Sequence, residues 1–175
     1  MQSDIELIDA TLTGDWQAFK EIVMRYEGQV AGVAQSMLGK TPEAEDIGQE
    51  VFVRFYESLK KFRGEAALST YLVRIAINLS LNELKRRKRQ FQVIVHEDAN
   101  HVASREDERW SLNELLQLEL NRLEPEFKAV VTLRLHQGYS TEETAKILGI
   151  PLGTVLSRLA RAQQKLRDRL VKQLK

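Results

Sequence analysis

The sequence predicts an all-α protein: two small helical domains joined by a flexible linker, the C-terminal one containing a helix-turn-helix. Apolar residues recur at three- and four-residue spacing along most of the 175 residues, no alternating strand pattern of useful length intervenes, and the helical pattern lapses between Phe91 and Arg109. That lapse divides the chain into an N-terminal domain over residues 1–90, a linker over 91–109 and a C-terminal domain over 110–175.

Ser3 and Glu6 have capping-box spacing and open a short helix whose apolar positions are Ile5, Ile8 and Leu12. Gly14 interrupts it and Asp15 is placed to cap the next. There Trp16, Phe19, Val23, Tyr26, Val30, Val33 and Met37 form one inward stripe that ends at Gly39. Thr41, Pro42 and the acids Glu43, Glu45 and Asp46 mark a third helix start, a cap followed by proline at the first helical position and negative charge on the positive end of the dipole. That helix turns Ile47, Val51, Phe55 and Leu59 inward. A loop at Phe62, Arg63, Gly64 and Glu65 leads into a helix from about Thr70 to Arg89, with Leu72, Ile75, Ala76 and Leu79 inward. Beyond the linker, Leu112, Leu116, Leu120 and Leu123 mark one helix, and Pro125, Phe127, Val131 and Leu135 a second that Gly138 closes. Ser140 and Glu143 repeat the capping box before a short helix to Leu148. Gly149, Ile150 and Pro151 turn the chain, and Val155, Leu159, Ala162, Leu166 and Leu170 stripe the last helix.

Composition narrows the function. Hydrophobic residues at 43% and charged residues at 29% describe a chain that folds. The absence of cysteine excludes a disulfide framework and thiolate metal sites, and it suits a reducing compartment. The N-terminus carries an acid where a signal peptide carries bases, and no apolar run approaches the ~20 residues of a membrane span. A cytoplasmic protein without membrane insertion is expected. His96 and His101 stand five apart with no cysteine near them, so neither a metal nor any other cofactor is expected.

The net charge is +1, but its distribution is uneven. Residues 1–60 hold eleven acids against five bases, residues 85–89 are five consecutive bases, and residues 158–175 hold seven bases against Asp168. Two basic patches and an acidic N-terminal third point to two polyanion contacts and a separate partner for the acidic part.

Three constellations could carry function. From Ser140 to about Arg169 a short capped helix, a glycine turn and a longer basic helix have helix-turn-helix form. Its second helix would enter a DNA major groove, presenting Thr154, Ser157, Arg158 and Arg161. Guanidinium groups pair bidentately with guanine and short polar side chains hold phosphates. The helix after Thr70 carries Tyr71, Arg74, Asn78, Asn82 and Arg86 on its outward stripe, a surface suited to separated strands: a ring to stack on, amides to read base edges, and charge to neutralise the backbone. The face Asp46, Gln49, Glu50 and Arg54 has no meaning as an isolated motif, because acids near a helix start ordinarily complement the dipole. No paired carboxylates, metal cluster, nucleophile motif or phosphate-binding glycine loop points to an enzyme. By itself the helix-turn-helix would equally fit a dimeric, polymerase-independent regulator.

The segment Ala44-Glu45-Asp46-Ile47-Gly48-Gln49-Glu50-Val51-Phe52 resembles the polymerase-binding helix of extracytoplasmic-function sigma factors. Phe62-Arg63-Gly64-Glu65 with Thr70-Tyr71-Leu72-Val73-Arg74-Ile75-Ala76-Ile77-Asn78 resembles the family's promoter-melting segment. Leu123-Glu124-Pro125-Glu126-Phe127 and the run from Tyr139 to Val155 resemble its promoter-reading domain. The motifs occur in family order over nearly the whole chain, which is far more specific than a helix-turn-helix alone. The resemblance implies that Asp46, Gln49 and Glu50 dock on core RNA polymerase. It implies that the loop Arg63, Gly64, Glu65 to Ser69, with Thr70, Tyr71, Arg74, Asn78, Asn82 and Arg86, captures and melts the proximal promoter element. It implies that Thr154, Ser157, Arg158 and Arg161 read the distal element of the promoter DNA. An anti-sigma factor is a further implied partner. Two positions depart from the pattern: Tyr71 stands where the family often has tryptophan, and Leu156 where a polar or basic residue is usual.

Overall fold

In the computed structural model, residues 2–97 and 111–173 are described, with backbone alone for 92–97. Among the described residues eight α-helices follow in order: α1 Asp4–Leu12, α2 Trp16–Leu38, α3 Pro42–Ser58, α4 Leu68–Glu97, α5 Leu112–Asn121, α6 Pro125–Val131, α7 Thr141–Leu148 and α8 Leu152–Gln173. A 3-10 turn (Leu59–Lys61) follows α3, and a π-helical turn (Thr132–His136) extends α6. No strand occurs among the described residues. No described helix is long and apolar enough to cross a membrane, and no group of three metal-ligating side chains gathers among the described residues.

Local chemistry sets the helix starts. The Ser3–Glu6 and Ser140–Glu143 capping boxes form with both of their reciprocal hydrogen bonds, Asp15 accepts from Gln17 N and Ala18 N, and Thr41 caps α3 with Pro42 at its first position. A third capping box, Ser111 with Glu114, opens α5.

Helices α1 to α4 enclose one core, in which Leu7, Ile22, Met37, Val51, Phe55, Leu72 and Ile77 are fully buried. A smaller core of Leu120, Leu123, Val131, Ala162 and Leu166 holds α5, α6 and α8 together. The larger core does not stop at α4. Ala129, Leu133 and Ile147, from the C-terminal half, are buried within it.

Five of the sequence expectations shift, the first being Trp16, read as part of the inward stripe of α2 and 60% exposed in the structure. In α1 the inward residues are Leu7, Ile8 and Thr11, and Ile5 and Leu12 are exposed. Two overlapping stripes were available, and Asp4 selects between them: its carboxylate accepts from Arg25 Nη1 at 2.7 Å and from the Tyr26 hydroxyl at 2.6 Å, turning the Leu7 face onto α2. In α5 Leu120 is inward as expected and Leu116 packs beside it, but Leu115 and Glu119 are buried as well and Leu112 is exposed. The buried Glu119 faces Arg122 at 2.7 Å and Arg169 at 3.6 Å, and it accepts from Gln173 Nε2 at 3.0 Å, so its charge is met by α8 across the small core. The π turn inserts one extra residue into a helical repeat, which turns Leu133 inward and Leu135 out. Finally, α4 runs to Glu97, past Arg89 and into the segment read as linker, because no glycine or proline lies between them to stop it. The rest of that segment, residues 98–109, lies outside the described residues.

Candidate functional site

Three surfaces gather the functional candidates. The first is α3. Ala44, Val51, Phe52 and Phe55 are buried against the core, and this rotation leaves Asp46 and Gln49 exposed on the far side. Glu50 is half-buried and accepts from Arg54 Nε at 2.7 Å, one turn on. An exposed i,i+4 pair of this kind is worth only a few tenths of a kcal/mol, so Glu50 is free to change partner. Beside this face runs a groove of about 210 Å³ between α2 and α3, lined by Val23, Ala31, Ala44 and Phe52 with Glu27, Glu45 and Gln49 at its rim. The result is an apolar trough edged with acids.

The second surface is the loop before α4 and the outward stripe of α4. Gly64 takes φ 68°, a left-handed conformation that favours glycine and lets the loop double back. Arg63 and Glu65 stand well out into solvent, only 4.0 Å apart. The loop residues Gly64 to Leu68 line a concavity of about 350 Å³ with Ser3, Asp4 and Ile5. Helix α1 thus walls this site, and the sequence offered no signal for that long-range contact. Ser69 and Thr70 are partly buried at the start of α4.

The outward stripe does not behave as one unit. Tyr71 packs edge-on against Phe62 at 5.2 Å and Phe55 at 6.1 Å, and its hydroxyl donates to Ser58 Oγ at 3.1 Å. It is therefore held by the core at one edge. Its other neighbours form a groove of about 220 Å³ between α3 and α4, lined by Arg54, Ser58, Tyr71, Asn78 and Asn82. Arg74 is turned elsewhere, toward α7: Nε donates to Ile147 O at 3.2 Å and Nη2 to Lys146 O at 2.6 Å. At the end of the stripe, Arg86 is bonded twice to Glu83, at 2.8 and 2.9 Å, and Arg87 bridges Glu83 and Glu43. Hydrogen bonding to Arg86 holds the Glu83 carboxyl below its ordinary value. The five-base run is thus partly neutralised, leaving Lys85, Lys88 and Arg89 exposed. Glu83, three and four residues before two of those bases, was a legible signal of this pairing.

The third surface is the helix-turn-helix. Gly149 takes φ 65° and ψ 36° at the end of α7, and its N–H caps Ala145 O. Val155, Ala162 and Leu166 are buried, which turns Ser157 and Arg161 outward, with Thr154 and Arg158 partly buried beside them. The Ser157 hydroxyl donates back to Thr154 O at 3.1 Å, leaving its lone pairs outward. Neither Arg158 nor Arg161 enters an ion pair among the described residues. Leu156 is 50% exposed and stands one turn beyond Leu152, also exposed, so the same face carries an apolar edge beside its charges.

The comparisons with known proteins agree along the chain. The model for Sigma-70 region 2 matches residues 22–90, and that for Sigma-70, region 4 matches residues 120–168. The ECF RNA polymerase sigma-E factor of Haemophilus influenzae is 34% identical over 96% of this chain and 95% of its own. The sigma-E factor of Escherichia coli is 33% identical over 93% and 91%, and the sigma factor SigW of Bacillus subtilis 31% identical over 90% and 91%. Among solved structures, the sigma factor RpoE of Bartonella quintana, in complex with the anti-sigma factor NepR, superposes with a TM-score of 0.68 at 25% identity, over 87% of this chain and 96% of that one. The fold is also that of CnrH, solved with the cytosolic domain of CnrY, at a TM-score of 0.70 and 23% identity over 98% and 99%. With both sigma-70 regions present in order and full-length relatives above 30% identity, the chain belongs to the ECF family of RNA polymerase sigma factors, the subunits that direct promoter-specific initiation of transcription.

Proposed function

We propose that the three surfaces divide the work of initiation. The α3 face of Asp46, Gln49 and Glu50 docks on core RNA polymerase, with the neighbouring trough taking apolar side chains. The concavity behind Arg63, Gly64, Glu65 and Ser69 receives a base extruded from the proximal promoter element; an extruded base exposes the pairing edge that stacking hides. Thr70, Tyr71, Asn78 and Asn82 follow the separated strand along α4, with Arg74 and Arg86 toward its phosphates. Thr154, Ser157, Arg158 and Arg161 read the distal element as duplex. In this scheme residues 1–90 act on polymerase and melted DNA, residues 110–175 act on duplex, and residues 91–109 join them. The chain performs no covalent chemistry and needs no cofactor, since binding and positioning suffice and the polymerase makes every bond. It acts in the cytoplasm, and an anti-sigma factor is a natural partner, as the Bartonella quintana sigma factor has one.

The observation that carries the scheme is the α3 face: Asp46 and Gln49 are exposed and have no role in holding the fold. Charge reversal there should leave folding within ~0.5 kcal/mol of wild type, because surface changes rarely cost more. Asp46→Lys with Glu50→Lys should still lower affinity for core polymerase a hundredfold or more, as like charges in a desolvated contact cost several kcal/mol. Pull-down and promoter-dependent transcription with reconstituted core polymerase measure this. A double mutant that binds and transcribes normally removes the docking assignment. A wild-type chain that ignores polymerase and binds a palindrome as a dimer favours a polymerase-independent regulator.

A further inference from the structure

Ile5 belongs to the apolar pattern of α1, yet it is 65% exposed and takes no part in the core of α1 to α4. A lone apolar side chain at a surface is ordinary, but this one lines a cavity. The concavity of about 350 Å³ behind the loop has Phe62, Ala66, Ala67 and Leu68 as its apolar lining from one side, and Ile5 from the other element, α1. Pockets for small ligands run from about 300 to 1,000 Å³, so this space suits a single base. A base taken out of its stack is held between aromatic or apolar side chains. Leu68 is buried in the core, and Ala66 and Ala67 offer only methyl groups. Ile5 and Phe62 are the bulky apolar side chains left to hold a base.

Both are held in place. Phe62 meets Phe55 and Tyr71 edge-on, at 6.1 and 5.2 Å between ring centres. The turn that carries Ile5 is tied down by charged and polar bonds. The Asp4 carboxylate accepts from Arg25 Nη1 at 2.7 Å and from the Tyr26 hydroxyl at 2.6 Å, and Arg25 Nη2 donates to Gln2 O at 3.0 Å. Within the capping box, Ser3 N and Ser3 Oγ both donate to Glu6 Oε2, at 2.6 and 2.9 Å. Residues 2–6 are thus fastened to α2 and to one another. Charge-assisted bonds of this kind are the stronger class, and they fix the backbone that presents Ile5 before any ligand arrives.

We infer that Ile5 is the second wall of the base pocket: its side chain packs on the captured base, and Asp4, Arg25 and Tyr26 are positioning residues that hold the first turn of α1 against it. The inference rests on the reading of the loop from Arg63 to Ser69 as the place where a promoter base is received. It explains why the rotation of α1 leaves a large aliphatic group in solvent. The Asp4 bonds that turn Leu7 into the core turn Ile5 to the cavity in the same movement. The pocket then belongs to two elements far apart in the chain, and the loop alone supplies only part of it.

The test uses the full-length protein assembled with core polymerase, on a promoter that the wild type opens. Abasic sites are placed one at a time through the non-template strand of the proximal element. Opening is read by permanganate at thymines outside the tested site, for wild type and for Ile5→Ala. Loss of the captured base should lower opening by the wild type about tenfold, the effect of an apolar contact in a pocket. Ile5→Ala should lose a similar factor on the intact promoter and little more at that one site. Every other abasic site should lower both proteins equally, because changes that share no partner add. Tyr26→Phe, which removes one bond of the network, should show the same site-selective pattern in smaller measure. Ile5 is exposed, so its truncation should leave the melting temperature unchanged. Ala66→Leu fills the concavity from the loop side and should also be non-additive at that site. If Ala66→Leu is non-additive there while Ile5→Ala is additive everywhere, the pocket stands and Ile5 is not its wall. A Tyr26→Phe loss spread evenly over all sites removes the positioning role. If all three variants are additive at every site, the loop receives no base, and the reading beneath the inference is what fails.

Discussion

At Lys128 a charged side chain sits almost wholly out of solvent, its Nζ donating to Asn121 Oδ1 at 2.7 Å. Burial, with the charge of Arg87 second, lowers its pKa from 10.5 to about 8. In the unfolded chain the ammonium keeps its proton up to the ordinary value, so between pH 8 and about 10.5 the unfolded state binds more protons. Stability contributed by this group therefore rises as pH rises through that window, and below about pH 8 the full cost of the buried charge is present. We predict that Lys128→Met stabilises the protein at pH 7 by about 1–3 kcal/mol, because an apolar group of similar length removes that cost. The variant should also lose the rise in melting temperature that wild type shows on going from pH 8 to 10. Thermal unfolding of both proteins at three pH values measures it, and equal pH slopes would exclude Lys128 as the source. Arg74 teaches a related lesson: its sequence position describes a solvent-facing residue, and only the arrival of α7 gives its guanidinium two carbonyls.

Among the elements, α7 depends most on its ends. It has eight residues, too few to persist by propensity, and it is stopped by a capping box at Ser140 and Glu143 and by Gly149 in the left-handed region. Within the box, Ser140 N donates to Glu143 Oε2 at 2.7 Å and Glu143 N to Ser140 Oγ at 3.1 Å. Bonding to the Ser140 backbone, and then to its side chain, holds the Glu143 carboxyl below its ordinary value. Ser140→Ala should cost about 1 kcal/mol, and Ser140→Asp, which restores the acceptor, much less. Urea unfolding followed by circular dichroism measures both, and equal losses would mean the hydroxyl caps nothing that matters. Both the turn into α8 and the carbonyls that bind Arg74 depend on this helix.

At the scale of the whole molecule, the two halves are not independent. Leu133, from the π turn, is fully buried, and its neighbours belong to the core of α1 to α4. Leu133→Ala should cost about 2–4 kcal/mol in overall stability, the range for a large-to-small change in a packed core. It should also enlarge the free protein, since the side chain lies where the halves meet. Denaturant unfolding gives the first quantity and small-angle scattering the second. Loss of stability with unchanged dimensions would place Leu133 within one half alone.

Much of this protein was already legible in one dimension. Helix starts are local events, decided by Ser3, Asp15, Thr41 and Ser140 within a few residues of themselves, so the caps and turns read correctly from the chain. The α3 face was legible for the same reason, since Val51 and Phe55 at helical spacing determine which side Asp46 and Gln49 take. The rotation of α1 was not, because it carried two possible stripes and the choice fell to Arg25 and Tyr26, distant partners of Asp4; nor was the burial of Glu119 in α5, which Arg169 and Gln173 meet from α8. Nor was the fate of Tyr71 and Arg74. Periodicity tells which side of a helix a residue occupies, but what meets that side is set by other segments: Phe55, Ser58 and Phe62 for Tyr71, and α7, some seventy residues away, for Arg74. The sequence by itself determined the helices, their order and the family. The tertiary structure alone decided which candidate side chains stand ready and which are held, because burial and pairing are properties of surfaces that meet only after the chain has folded.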